Sequence, residues 1–300
     1  MRPDDPGFPD AALAWVAEQG LPPLGPPQLR VRPWSACLRV DTAQGVVWVK
    51  AGGSRTSYEA GLLRALAVYG APHVQRPLAV DVDRGWVLLP DGGPTLRQRL
   101  DRDPDLGLWE QLLPRYAELQ RSVEHRVLPG VPDLRPSLLP GLLDGLLDTV
   151  PVGPLAELRA LQPRYAEWCI ELDGARVLPT LQHDDLHDGN VFSSLVVFDL
   201  GDASLAHPFS SLLVTLRSIA ARWSLSPGAP ELQRLRDCYL EAWRDVHDRD
   251  DLEMLALLAT RVGKVGRALS WQRSLADDPT GPDAEAVPGW LEELVEADVF

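Results

Sequence analysis

Residues 90–94 read Pro-Asp-Gly-Gly-Pro, a run that neither a helix nor a strand can contain, and the hydrophobic pattern changes across it. Before it, after an opening helix over Asp10–Glu18 with Asp10 as its cap and Gly20 as its stop, the pattern has period two. Leu29–Arg32, Cys37–Val40, Val46–Val49, Pro77–Val82 and Trp86–Leu89 are expected strands, and Ser57–Tyr69, with apolar residues at 58, 62, 63 and 66, is an expected helix. After it the spacing is helical, over Trp109–Val123, Leu155–Leu172 and Leu252–Leu269. Pro114 and Pro163 fall inside the first two of these blocks, which predicts a kink or a later start in each. The chain therefore divides into a small sheet-bearing lobe over residues 1–89, a hinge at 90–94, and a larger, mostly helical lobe over 95–300. The fold class is α+β.

Charge and cysteine use narrow the functional classes. The formal net charge is −14, which disfavours nucleic acid as a partner and mildly favours a cationic small molecule. Cys37, Cys169 and Cys238 have no metal-ligand spacing and read as inert thiols in a reducing compartment. No secretion signal opens the chain, and no apolar window approaches the roughly 18 residues of a membrane span, so a cytoplasmic protein without membrane contact is expected. Oligomeric state leaves no mark on the sequence.

The chemistry is concentrated in His183-Asp-Asp-Leu-His-Asp-Gly-Asn190, followed by the apolar run Leu195–Phe198, an expected strand, and then Asp199. Phosphoryl transfer needs a carboxylate at the acceptor hydroxyl, and an amide oxygen and a second carboxylate at the magnesium that bridges the phosphates. The His, Asp, Leu and Asn of the protein-kinase catalytic loop recur here at the same offsets, with Asp184 in place of the arginine. A metal-hydrolase reading of the same cluster lacks further histidines at ligand distance, since His73, His125, His207 and His247 are scattered.

With that loop, and with Val197-Phe-Asp-Leu-Gly-Asp-Ala203 after it, the chain resembles the aminoglycoside phosphotransferase and choline kinase group, whose loop reads His-Gly-Asp-Leu-His-x-Gly-Asn. The resemblance spans roughly residues 25–225. It implies a protein-kinase-like two-lobed fold, in which a small N-lobe carries an antiparallel sheet plus a helix and the larger C-lobe is mostly helical. It also implies an ATP-dependent kinase that uses Mg2+ and phosphorylates a hydroxyl of a small molecule. On that likeness Asp185 is the catalytic base and His187 faces the transferred phosphate. Asn190 and Asp199 are the magnesium ligands, with Asp202 as a second choice. Lys50, one of only two lysines in the chain, would hold the α- and β-phosphates. Glu59 would pair with it, although Thr56–Glu59 also fits a capping box. Leu89, Pro90 and Asp91 would meet adenine through backbone groups.

Three departures accompany the resemblance. The turn between the first two strands has no glycine, only eight residues separate Asn190 from Asp199, and His207-Pro-Phe-Ser-Ser211 replaces the group's later Gly-x-Pro and its following acid. They motivate the alternative of a weak or inactive pseudokinase acting as a nucleotide-binding or interaction module. Toward the C-terminus, Trp271 and Trp290 are expected to be helix-packing aromatics, and Arg261, Lys264 and Arg267, recurring at helical spacing, to form a solvated face.

Overall fold

Alternation in two neighbouring strands sets the small lobe. Ala36, Leu38 and Val40 are buried on one face, as are Val47, Val49 and Ala51, so Cys37, Trp48 and Lys50 must point to the other. In the computed structural model, which describes residues 5–296, the order is α1 (Phe8–Glu18), β1 (Gln28–Arg32), β2 (Ser35–Thr42), β3 (Gly45–Gly52), α2 (Glu59–Tyr69), β4 (Ala79–Asp81) and β5 (Trp86–Pro90). The five strands form one antiparallel sheet in the order β1-β2-β3-β5-β4. Helix α1 covers the first face. Its Phe8, Ala12, Trp15 and Val16 pack on the buried residues of β2 and β3 and on Trp86 and Leu88. This helix begins earlier than expected. Gly7 is its cap and makes no side-chain cap bond, Pro9 supplies a helical φ in the first turn, and Asp10 lies within that turn instead of capping it.

The rest is mostly helical: α3 (Leu96–Leu100), α4 (Gly107–Ser122), α5 (Leu139–Thr149), α6 (Leu155–Gly174), α7 (Leu212–Trp223), α8 (Pro230–Leu240), α9 (Arg249–Ser274) and α10 (Ala286–Glu292), with a small antiparallel ribbon of β6 (Thr180–Gln182) and β7 (Ser204–Ala206). Helices α4 and α6 run through Pro114 and Pro163 without a break, so neither proline delays the start of its helix. Among the described residues no helix is long and apolar enough to cross a membrane.

The expected strand Leu195–Phe198 does not form a ladder. The chain turns at Ser193–Ser194, Leu195 takes φ +63°, and Phe192 N–H closes on the Val196 carbonyl at 2.9 Å. So tight a reversal leaves only Val197 in register. It bridges Val191 and, in parallel, Val74 of the small lobe. That second bridge ties the segment ahead of Asp199 to the connection between α2 and β4.

Candidate active site

Strand parity brings the first residue to the site. Lys50, on β3, points away from α1 and between two carboxylates, Glu59 of α2 and Asp199. Its Nζ lies 2.5 Å from Glu59 Oε2 and also bonds Asp199 Oδ1. Burial works against the lysine's charge, but the two acids, Asp199 foremost, outweigh it and hold the ammonium protonated. Burial raises the Glu59 carboxyl, with Lys50 pulling the other way, and Lys50 holds Asp199 below its usual range against the burial of that group. Glu59 is no capping-box partner. Its Oε1 accepts the Leu200 N–H at 2.8 Å, and the Thr56 hydroxyl instead accepts from Gly53 N–H and donates to the Trp34 carbonyl. One carboxylate thus fixes both the lysine and the backbone just after Asp199.

The catalytic-loop candidates sit together below. Asn190, at the end of a 3-10 turn over Asp188–Asn190, donates its Nδ2 to the Asp185 carbonyl at 2.9 Å and to Asp185 Oδ2 at 3.1 Å. The amide nitrogen is thereby engaged, and the Asn190 oxygen is the atom left to serve a ligand. His183 braces the two halves of the loop. Its Nε2 donates to the Phe198 carbonyl at 2.9 Å, so its Nδ1 is the acceptor for the Asp185 N–H at 3.3 Å. His187 accepts the Gly189 N–H at Nδ1, which puts its proton on Nε2, 3.5 Å from Asp185 Oδ2. Asp188 is held by Arg97 and Arg222, with Nε atoms at 2.8 Å from its two oxygens.

Two further acids lie beside the loop. Asp184 is buried at φ +63°, a conformation that asparagine, aspartate and above all glycine tolerate, which accounts physically for a glycine at this offset in the resembled loop. Burial raises its carboxyl to about 6, against a 2.6 Å bond from the Ser204 hydroxyl. Asp202 faces α9, where Ser270 and Ser274 donate to its Oδ1 at 2.7 and 3.0 Å.

The largest correction concerns the C-terminal basic residues. Lys264 and Arg267 are not on a solvated face. Both are buried, at 2% and 6% exposure, because α9 runs among α6, α7 and α10. Lys264 donates to the Glu293 carbonyl at 2.6 Å, and Arg267 Nη2 donates to Asp185 Oδ1 at 2.7 Å. Burial would raise the Asp185 carboxyl, but Arg267, then His187, outweigh it and hold it below the usual range. Periodicity shows that the three basic residues share a face. It does not show what covers that face.

At the expected hinge, Leu89 pairs with Trp48 and Pro90 with Val47. The Asp91 N–H is engaged with the Val46 carbonyl at 3.2 Å, its carboxylate accepts Trp48 Nε1 at 3.0 Å, and the Pro90 carbonyl accepts Gln75 Nε2 at 2.8 Å. Gly92 is required by close approach, since a Cβ there would lie 2.1 Å from the Phe192 ring, which itself stacks on Phe198 at 4.2 Å.

The atoms of the expected metal ligands that these bonds do not use, the Asn190 amide oxygen and Asp199 Oδ2, are both oxygen and suit a hard divalent cation such as magnesium. Among the described residues no group of three or more His, Cys, Asp or Glu is placed to hold a metal ion.

No family model matches the sequence, and no curated protein matches it. Solved structures do match in fold. A choline/ethanolamine kinase family protein from Mesorhizobium loti superposes with a TM-score of 0.64 at 16% identity, covering 96% of this chain and 95% of that one. A choline kinase from Streptococcus pneumoniae gives 0.63 at 12% identity over 96% and 98%. An aminoglycoside phosphotransferase from Streptomyces rimosus, solved with ADP and streptomycin, gives 0.54 at 15% identity over 86% and 98%. What the chain shares with them is the protein-kinase-like fold, a five-stranded antiparallel sheet set on a mostly helical lobe.

Proposed function

We propose that the chain is a small-molecule kinase that moves the γ-phosphoryl group of Mg-ATP to a hydroxyl. Residues 1–89 are the nucleotide lobe, 90–94 the hinge and 95–300 the lobe that carries the catalytic loop and the acceptor. The observation that carries this reading is the meeting of a buried lysine from the sheet with Asp199, in one cleft with the hydrogen-bonded pair Asp185 and Asn190. Phosphoryl transfer needs a cation, a base and metal-binding oxygens held together, and these two pairs support that reading. The likeness in fold to named kinases supports it.

In this reading Leu89, Pro90 and Asp91 line the base end of the cleft. Lys50 holds the α- and β-phosphates, and Glu59 holds Lys50. Asn190 and Asp199 would hold magnesium, which when bound would draw charge from the phosphate oxygens. Asp185 accepts a hydrogen bond from the acceptor hydroxyl and aims its oxygen at the γ-phosphorus, with the His187 Nε2–H directed at the same carboxylate. The new O–P bond forms as the bond to the β–γ bridging oxygen breaks. ADP departs, and the hydroxyl proton passes to Asp185. Its low pKa suits an orienting base for a loose transition state, in which proton transfer comes late. The acceptor is a hydroxyl-bearing small molecule, and the net charge of −14 favours one that carries an amine.

The test is a screen of hydroxyl compounds with Mg-ATP, run on wild type beside Asp185→Ala. The variant is expected to keep the nucleotide-induced rise in melting temperature and to lose transfer by about 10²-fold or more. Retained transfer would show that Asp185 is not the base. A wild type that binds Mg-ATP while no acceptor stimulates turnover would establish the nucleotide-binding module instead.

A further inference from the structure

Asp185 is gripped from three directions, and only one of the grips comes from outside its own loop. Asn190 Nδ2 donates to Oδ2 at 3.1 Å, and His187 Nε2 lies 3.5 Å from the same oxygen. Both of these anchor Oδ2 alone. A carboxylate held at one oxygen still turns about its last torsion, which is broad and roughly two-fold. Oδ1 is held by Arg267 Nη2, at 2.7 Å, from the middle of α9. With both oxygens tied to separate elements, the carboxylate plane is fixed.

The guanidinium is itself fixed. It is buried, its Nη1 lies 3.5 Å from Asp202 Oδ2, and it stands over the Trp271 ring at 5.3 Å. Trp271 is buttressed in turn by Trp34, from the turn between β1 and β2, ring to ring at 6.0 Å and nearly edge-on. Two serine hydroxyls hold Asp202 at Oδ1, and the approach of Arg267 to its Oδ2, at 3.5 Å, is looser than the 2.7 Å bond to Asp185. The tighter bond of this buried cation is therefore directed at the proposed base.

We propose that Arg267 is a positioning residue for phosphoryl transfer: by holding Oδ1 it fixes the plane of the Asp185 carboxylate, so that Oδ2, which Asn190 and His187 hold at longer range, is presented to the acceptor hydroxyl. This rests on the kinase reading above. It assigns a role to a helix that none of the resembled motifs includes. Removing the guanidinium leaves the carboxylate free to turn. Misplacing a reacting group by about 1 Å is enough to cost on the order of 10²-fold in rate.

The test uses water as the acceptor, so no substrate need be known. The γ-phosphorus gains a bond to the water oxygen and loses its bond to the bridging oxygen, and a proton goes to Asp185. The products are ADP and phosphate. Hydrolysis of Mg-ATP is measured per folded molecule for wild type, Arg267→Ala and Arg267→Lys, with Mg-ATP affinity read separately from the melting temperature. Turnover is expected to fall about tenfold or more in both variants at unchanged Mg-ATP affinity. Low-millimolar guanidinium should restore part of it in Arg267→Ala and none in Asp185→Asn. Should Arg267→Ala fail to fold, Arg267→Lys carries the test, because it keeps the charge and loses the planar fork.

Full turnover in a folded variant overturns the proposal. So does a loss matched by an equal loss of Mg-ATP affinity, which would make Arg267 a scaffold residue only. If wild type itself neither binds nor hydrolyses Mg-ATP, the kinase reading fails, visibly in the unmutated protein, and the proposal falls with it.

Discussion

At the scale of single residues, Asp184 is the clearest case of sequence and structure answering different questions. Its position in the loop is plain from the offsets of His183, Asp185 and Asn190, but its burial at positive φ is a tertiary fact. Its folded pKa, about 6, lies above the ordinary aspartate value. Below about pH 4 the carboxyl is protonated in both states. As pH rises further the unfolded chain loses its proton first, so folding stability falls up to about pH 6 and then levels off. Asp184→Asn keeps tolerance of the left-handed backbone and removes the titration. The variant is expected to match wild type near pH 4 and to exceed it at pH 7 by on the order of 1–3 kcal/mol, measured by urea unfolding at the two pH values. A constant difference across that range would mean that the carboxyl does not titrate there.

At the scale of elements, β3, α2 and the segment before Asp199 are joined by one cation. Lys50 lies between Glu59 and Asp199, and Glu59 also holds the Leu200 N–H. Lys50→Met leaves Glu59 as a buried, unpaired acid, a change of the kind that costs about 3–5 kcal/mol. The expected result is a large loss of stability together with loss of the Mg-ATP-induced thermal shift. Adding Glu59→Gln should recover much of the stability and none of the nucleotide binding, a separation that unfolding and thermal-shift measurements on the double variant would read directly. The lysine was legible because it ends a period-two strand in a chain that otherwise uses arginine. Its partner was ambiguous, because Thr56–Glu59 also suits a helix start, and a glutamate in a first turn satisfies both patterns until the neighbouring strand is in place.

For the whole molecule, the acidic excess acts on every interaction at once. A net charge of −14 on 300 residues means that like charges repel across the folded surface more than across the expanded chain. Raising salt to about 0.15 M shortens the screening length to about 8 Å and should raise the melting temperature from its low-salt value. The same change should slow association of a cationic acceptor. A melting temperature that falls with salt would show instead that the surface ion pairs, such as Arg121 with Asp245, outweigh the net repulsion.

The sequence by itself determined the two lobes' composition, the elements with long regular periodicity, and the loop whose residue types and offsets suit phosphoryl transfer. These are local properties, written in spacings of two, of three to four, and of a few residues. Only the tertiary structure decided what covers each face and which distant groups meet. It turned Lys264 and Arg267 of α9 inward, bringing Arg267 to a carboxylate 82 positions away. It also dissolved the expected strand Leu195–Phe198 into a tight reversal and buried Asp184. A helical or strand period defines an element's sides. Which side is inside is decided by the other elements packed against it, and no spacing within one segment records them.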